Sequence, residues 1–239
     1  MKNQVQIWQT WRHIWAGRIY FTVMAGTVLA GCAGSGSIID KPINYNEERT
    51  DLSLQYLRDH YGVEEETPNI VPRMIVLHYT VIPTMEGTFA TFYPPYLPDT
   101  RPDISNAGNL NVSSQFLVDR DGTIYRLMPE TMMARHVIGL NHCAIGIENV
   151  GGTEKLPLTR AQVKANVWLV EYLAGKYDID YLIGHSEYTL FEGHALWLEK
   201  DQGYRTLKND PGEDFMNKVR RRLKNLNFKP LPSNISKDE

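Results

Sequence analysis

The chain has 239 residues, 42% of them hydrophobic and 22% charged, which suits one globular domain of ordinary size plus some tail and is enough to bury a real core. The formal net charge of -3 is mild, and no Lys/Arg run suggests a phosphate-tracking surface, so nucleic acid is not an expected partner.

Residues 1–32 carry Lys2, Arg12 and Arg18 and no acidic residue, and they end in an apolar run from Tyr20 to Gly31 (YFTVMAGTVLAG). That run is too short to span a hydrocarbon core of about 30 Å as a stable helix. It has the length of a secretory h-region, so residues 1–32 read as an export signal. The run closes on Leu29-Ala30-Gly31-Cys32, which resembles the bacterial lipobox. Cys32 is then the lipidated first residue after cleavage, and Ala33 behind it points to a lipid anchor in the outer membrane, facing the periplasm. Removing Lys2, Arg12 and Arg18 leaves 22 basic side chains against 28 acidic ones, so the mature protein is acidic. Cys143 alone remains, without a partner for an intramolecular disulfide. It reads as a packing residue, because its neighbour His142 would point to the opposite face of a strand.

Residues 33–50 (AGSGSIIDKPINYNEERT) are Gly/Ser-rich and then polar, the composition of a flexible tether. The domain is expected over 51–228, with a disordered tail at 229–239. Thr50 to Tyr61 reads as a short helix from Leu54, Leu57 and Tyr61. Met74 to His78 (MIVLH) is an apolar, β-branched buried strand with His78 at its carboxyl end. Residues 81–112 contain Pro83, Pro94, Pro95, Pro98 and Pro102 and read as a long connection with at most a turn of helix near Met85 to Phe92. Gln115 to Val118 and Thr123 to Leu127 flank Asp121-Gly122, a hairpin signal. Ala144 to Val150 (AIGIENV) is a further strand carrying a lone acid, Glu148, among apolar neighbours, and a lone buried carboxylate needs a reason. Thr159 and Gln162 form a capping box ahead of an amphipathic helix through about Tyr177. Tyr181 to Gly184 is a strand delivering His185, and Pro211 opens a last helix marked by Phe215, Val219, Leu223 and Leu226. The resulting fold class is α/β, a mixed central β-sheet flanked by helices.

His78 and His185 occupy equivalent places, each at the carboxyl end of a buried strand, where sites gather in such sheets. Spacing alone leaves each as a metal ligand or a structural histidine. Asp210, in Lys208-Asn209-Asp210-Pro211-Gly212, is either a third ligand or a helix cap.

Six segments in order, IVLHYT (75–80), SSQFLVDRDGTIYRL (113–127), ARHVIG (134–139), IGIENVG (145–151), IGHSEYT (183–189) and KNDPG (208–212), resemble the zinc-dependent N-acetylmuramoyl-L-alanine amidases of type 2, a family related to the peptidoglycan-recognition proteins. The similarity runs over roughly residues 72 to 226. It implies a monomeric zinc amidohydrolase that cuts the amide between N-acetylmuramic acid and L-alanine in peptidoglycan or muropeptides. Carried over by position, His78, His185 and Asp210 match the Zn2+ ligands, and Glu148 and Lys208 match the catalytic acid/base and the charge-stabilising lysine. His136 matches a position lining the substrate groove, and Asn141 falls among polar groove residues. Relatives that only bind peptidoglycan, and zinc peptidases acting on the stem peptide, remain as alternative readings.

Two features depart from the family pattern. His185 and Asp210 are 25 positions apart, where about ten is typical of the family, and the extra segment from about Leu190 to Leu207 holds Glu192, His194 and Trp197. It is expected to lid or extend the groove, or to supply a different ligand. Gln115 stands where many members have His, which is expected to alter substrate contacts.

Overall fold

The structure, a computed structural model, describes residues 36–233. The leader assigned to residues 1–32, with its lipidation site Cys32, lies outside the described residues. None of the described helices is long and apolar enough to cross a membrane.

Six strands form one sheet in the order β1-β4-β3-β5-β2-β6. They are β1 (Ile38–Asp40), β2 (Met74–Leu77), β3 (Phe116–Val118), β4 (Ile124–Arg126), β5 (Ala144–Asn149) and β6 (Tyr181–Gly184). Strand β2 is buried along its whole length because β5 and β6 both pair with it in parallel; a strand covered on both faces is apolar throughout. The antiparallel hairpin of β3 and β4 forms as the Asp-Gly signal predicts, with Val118 opposite Ile124 and Gly122 at φ +92° in the turn. This is the mixed sheet expected from the sequence.

Helix α4 (Arg160–Ala174) opens on the Thr159/Gln162 capping box and buries Val163, Leu169, Val170 and Leu173. Helix α5 (Glu213–Arg220) packs on α4 and β6 and buries Phe215, Met216 and Val219. It starts two residues beyond Pro211, and Leu226 lies in a separate single turn, Lys224–Leu226. Ahead of β2, α1 (Glu47–Tyr56) is capped by Asn46 rather than starting at Thr50, and it continues as a π-helical turn, Leu57–Tyr61. Two short helices, α2 (Met85–Phe92) and α3 (Pro102–Ser105), interrupt the long connection.

Two expected boundaries are corrected. The segment read as a flexible tether, 33–50, contains β1, which pairs in parallel with β4 from Ile38↔Ile124 to Asp40↔Arg126. Beyond it Ile43 donates its backbone N–H to Leu127 O at 2.8 Å and is buried. The Gly/Ser-rich start of this segment hid a strand of only three residues, one that needs a partner edge to form. The tail expected from residue 229 also packs at its start. The Lys229 amide donates to Asp180 O at 2.8 Å, its ammonium pairs with the Asp180 carboxylate, and Leu231 lies against the core.

Candidate active site

Register builds the site. Leu77 pairs with Ile147 on one side and with Gly184 on the other, so the next residue of each strand, His78, Glu148 and His185, stands at the same level across the carboxyl ends. The chain returns to this edge at Asp210, whose carbonyl accepts the Ser186 amide at 2.9 Å. Gly184 permits this approach, because an added Cβ would lie 3.0 Å from Pro211 Cδ.

His78 Nδ1 lies 2.9 Å from His185 Nδ1 and 3.2 Å from Asp210 Oδ2, and His185 Nδ1 lies 3.1 Å from the same oxygen. Two atoms bound to one zinc at about 2 Å in tetrahedral geometry sit roughly 3.3 Å apart, so this triangle fits a shared cation. The donor set fits as well: two imidazole nitrogens and one carboxylate oxygen are zinc ligands. All three residues are buried. Burial, reinforced by the neighbouring His78, pushes the His185 imidazole down to about 4, keeping it neutral with a lone pair to offer. Burial alone would raise Asp210, but the adjacent His185 and His78 imidazoles outweigh it and hold the carboxyl below its ordinary range. His194 and Glu192, the rival ligands in the extra segment, lie elsewhere. His194 Nε2 is 3.3 Å from Tyr181 Oη, and Glu192 pairs with Arg205.

His185 and Asp210 open onto a groove of about 310 Å³, whose lining also includes Tyr79, Arg101, Glu148, Tyr204, Leu207 and Lys208. Glu148 Oε2 is buried without a hydrogen-bond partner among the described residues. Burial raises this carboxyl to about 7, against a lowering by His78; Lys208 and Arg101 also lower it. An orphaned, proton-ready carboxylate beside a candidate metal centre suits proton transfer.

Of the expected groove residues, Lys208 and Glu148 line it, while His136 and Asn141 are drawn into its floor. Asn141 is 0% exposed; its Oδ1 accepts the backbone N–H of both His136 and Val137, and its Nδ2 donates to Tyr61 Oη. Asn141, expected to bind substrate, lies in the groove lining with Oδ1 and Nδ2 both hydrogen-bonded within the protein. His136 is buried, with Nδ1 3.0 Å from His78 Nε2 and Nε2 3.2 Å from Ala144 O; burial and the nearby His78 push its basicity well down. Gln115, expected to alter substrate contacts, is likewise buried. It donates to Met132 O and accepts the Gly146 N–H at 2.7 Å.

The extra segment extends the groove wall as a docked piece. Tyr204 accepts from Arg135, and Thr206 exchanges hydrogen bonds with Tyr188 Oη. Glu199 faces His60 Nδ1 at 2.9 Å, and the Trp197 ring fills the space left by Gly139. Sequence reasoning missed Arg101 and Tyr204, which lie in loops without periodicity. It also passed over Gly146, although a glycine inside a strand signals a close approach. A Cβ there would lie 2.9 Å from the His136 ring.

Residues 67–213 match the family model described as N-acetylmuramoyl-L-alanine amidase. A curated relative, the 1,6-anhydro-N-acetylmuramyl-L-alanine amidase AmpD of Enterobacter cloacae, is 31% identical over 130 residues, covering 48% of this chain and 69% of its own. Among solved structures, the N-acetylmuramoyl-L-alanine amidase LysC from Clostridium intestinale aligns with a TM-score of 0.47 and 24% identity over 79% of this chain and 98% of its own. Human PGRP-IBETAC, solved with a glycosamyl muramyl pentapeptide, aligns at 0.45 and 18% over 64% and 85%. The matched span contains all of His78, Glu148, His185, Lys208 and Asp210, and the chain belongs to the N-acetylmuramoyl-L-alanine amidase family.

Proposed function

We propose that the protein is a zinc-dependent amidase that hydrolyses the bond between N-acetylmuramic acid and the L-alanine of the stem peptide. The reading rests on one juxtaposition: His78, His185 and Asp210 present three ligating atoms about 3 Å apart, in the same groove as the orphaned Glu148. A zinc ion held by these three would polarise the scissile carbonyl and acidify a water molecule. Glu148 accepts the proton of the attacking water and returns it to the departing alanine nitrogen, a role suited to a carboxyl near 7. The Lys208 ammonium, which already acts on Glu148 across the groove, stabilises the negative oxygen of the tetrahedral intermediate. His185, kept neutral by burial, and His78 both turn Nδ1 toward the centre. No covalent intermediate with the chain is needed.

We place this activity in the bacterial envelope, on a lipid anchor at Cys32 in the outer membrane, supported by the basic start, apolar run and Leu-Ala-Gly-Cys of the leader. The deciding experiment incubates purified protein from residue 33 with intact sacculi and, separately, with 1,6-anhydro muropeptides, with and without chelator, and weighs the products. Free peptides headed by L-alanine, lost on chelation and restored by zinc, are the expected result. Cleavage between stem residues, or binding without products, would overturn the reading.

A further inference from the structure

Resting on the zinc reading above, we propose that His136 is a positioning residue that dictates which ring nitrogen of His78 is offered to the metal, and that it does not contact substrate. The wiring follows from hydrogen-bond roles. His136 Nε2 lies 3.2 Å from the carbonyl oxygen of Ala144, which can only accept, so Nε2 carries the hydrogen. In a neutral ring Nδ1 is then the bare nitrogen, and it stands 3.0 Å from His78 Nε2. A bare nitrogen there requires His78 Nε2 to be the donor. With Nε2 carrying the hydrogen, the atom His78 offers to a metal is Nδ1, which forms the triangle with His185 and Asp210. A main-chain carbonyl at the start of β5 thus sets the tautomer of a ligand two rings away. Ligating histidines ordinarily pass their second N–H to a carboxylate, carbonyl or water, which fixes ring orientation and raises basicity. Here a second imidazole stands between ligand and carbonyl.

The surroundings of His136 are built for this task. Asn141 fixes its backbone by accepting its N–H at 2.9 Å. Gly146 leaves room for its ring, since a Cβ would lie 2.9 Å from its Cγ and Nδ1. Gln115 in turn holds the Gly146 amide in place. The two rings meet edge to face, with centroids 5.1 Å apart and planes at 88°. His136 is 9% exposed, and with both nitrogens engaged it has none left for a ligand in the groove.

The test compares wild type with His136→Phe, which keeps a ring and removes the acceptor, and with His136→Gln, whose side-chain oxygen can still accept from His78. Gly146→Ala, which displaces the ring while leaving the His136 side chain itself unchanged, is the third variant. Zinc affinity is read by competition with a chromophoric chelator and site geometry by the visible spectrum of the cobalt(II) form, with KM measured on the zinc-saturated enzyme. His136→Phe and Gly146→Ala are expected to weaken zinc binding about 10- to 100-fold, with KM nearly unchanged and most of the affinity kept by His136→Gln. Unchanged zinc affinity in both His136→Phe and Gly146→Ala, with KM raised in the former, would overturn the relay and return His136 to the substrate. If His136→Phe does not fold, equal zinc affinity in His136→Gln and Gly146→Ala overturns it instead. A wild-type chain that binds no zinc would refute the zinc reading itself, and the relay with it.

Discussion

Glu148 sits where burial and chemistry pull in opposite directions. Its carboxyl is raised from 4.5 to about 7, mainly by burial, so the metal-free folded chain holds that proton more tightly than the unfolded chain does. The sign follows by linkage: the destabilisation is absent below about pH 4.5, grows as pH rises toward 7, and is complete above it. Its size is on the order of 3 kcal/mol. Glu148→Gln removes the ionisation, so metal-free Glu148→Gln is expected to resist urea better than wild type at pH 8.5 by about 2–3 kcal/mol and to match it at pH 4. Its kcat/KM on muropeptides should fall by roughly 10²- to 10⁴-fold. Equal urea midpoints at pH 8.5 would refute the burial argument. A strained residue stands at the groove rim. Val81 has φ +55°, a region that costs a β-branched side chain about 1–3 kcal/mol, and its side chain is largely exposed. Val81→Gly is therefore expected to raise the thermal midpoint, with a net gain near 1 kcal/mol after the entropy cost of glycine. The lone acid of AIGIENV was legible because a carboxylate among apolar neighbours has few other uses. The hold of Gln115 on the Gly146 amide was not legible, because sequence does not distinguish a side chain facing the groove from one packed beneath it.

Among elements, the short apolar strands and the capped helix α4 were legible because periodicity, Asp-Gly and the Thr-x-x-Gln box each report local physics. The long connection and the extra segment before Lys208 were not, since side chains from elsewhere in the chain hold them. Arg49, almost fully buried, donates to Asn44 O and to Phe92 O at 2.8 and 2.7 Å. Arg135 donates to Gly108, Leu110 and Ile104 carbonyls. Two guanidinium groups thus satisfy carbonyls that a proline-rich loop cannot place in a ladder. The extra segment depends on Glu199 in the same way: its carboxylate meets His60 Nδ1, while the Lys200 amide donates to His60 O. Glu199→Ala leaves a buried imidazole N–H without an acceptor, at about 1–3 kcal/mol. Limited proteolysis should then cut within residues 192–207 faster than in wild type. KM should rise, because Tyr204 and Leu207 line the groove, with zinc affinity intact. An unchanged cleavage pattern would mean that the segment stands without this pair.

At the scale of the whole molecule, the unexpected strand β1 changes where the domain begins. It is the outermost strand of the sheet, beside β4, and such an edge strand shields the next one from pairing with other chains. The Asp40–Arg126 ion pair beside it is partly exposed and of a kind that contributes little; most of the stabilisation comes from Ile43, three residues further along. Ile43 packs in a second apolar cluster with Met85, Phe92, Leu117 and Leu127, joining the start of the domain to α2 and the hairpin. Ile43→Ala is expected to cost about 2–5 kcal/mol. A chain beginning at Asn46 should lose this contribution together with the β1 ladder, exposing β4 as a new edge. It should unfold at a lower temperature and associate at high concentration, whereas a chain beginning at Gly36 should match one beginning at Ala33. Thermal midpoints and light scattering of the three chains decide the matter. Equal stability of all three would restore residues 33–46 to the role of a plain tether, while the expected ranking makes residues 38–43 the first element of the catalytic domain.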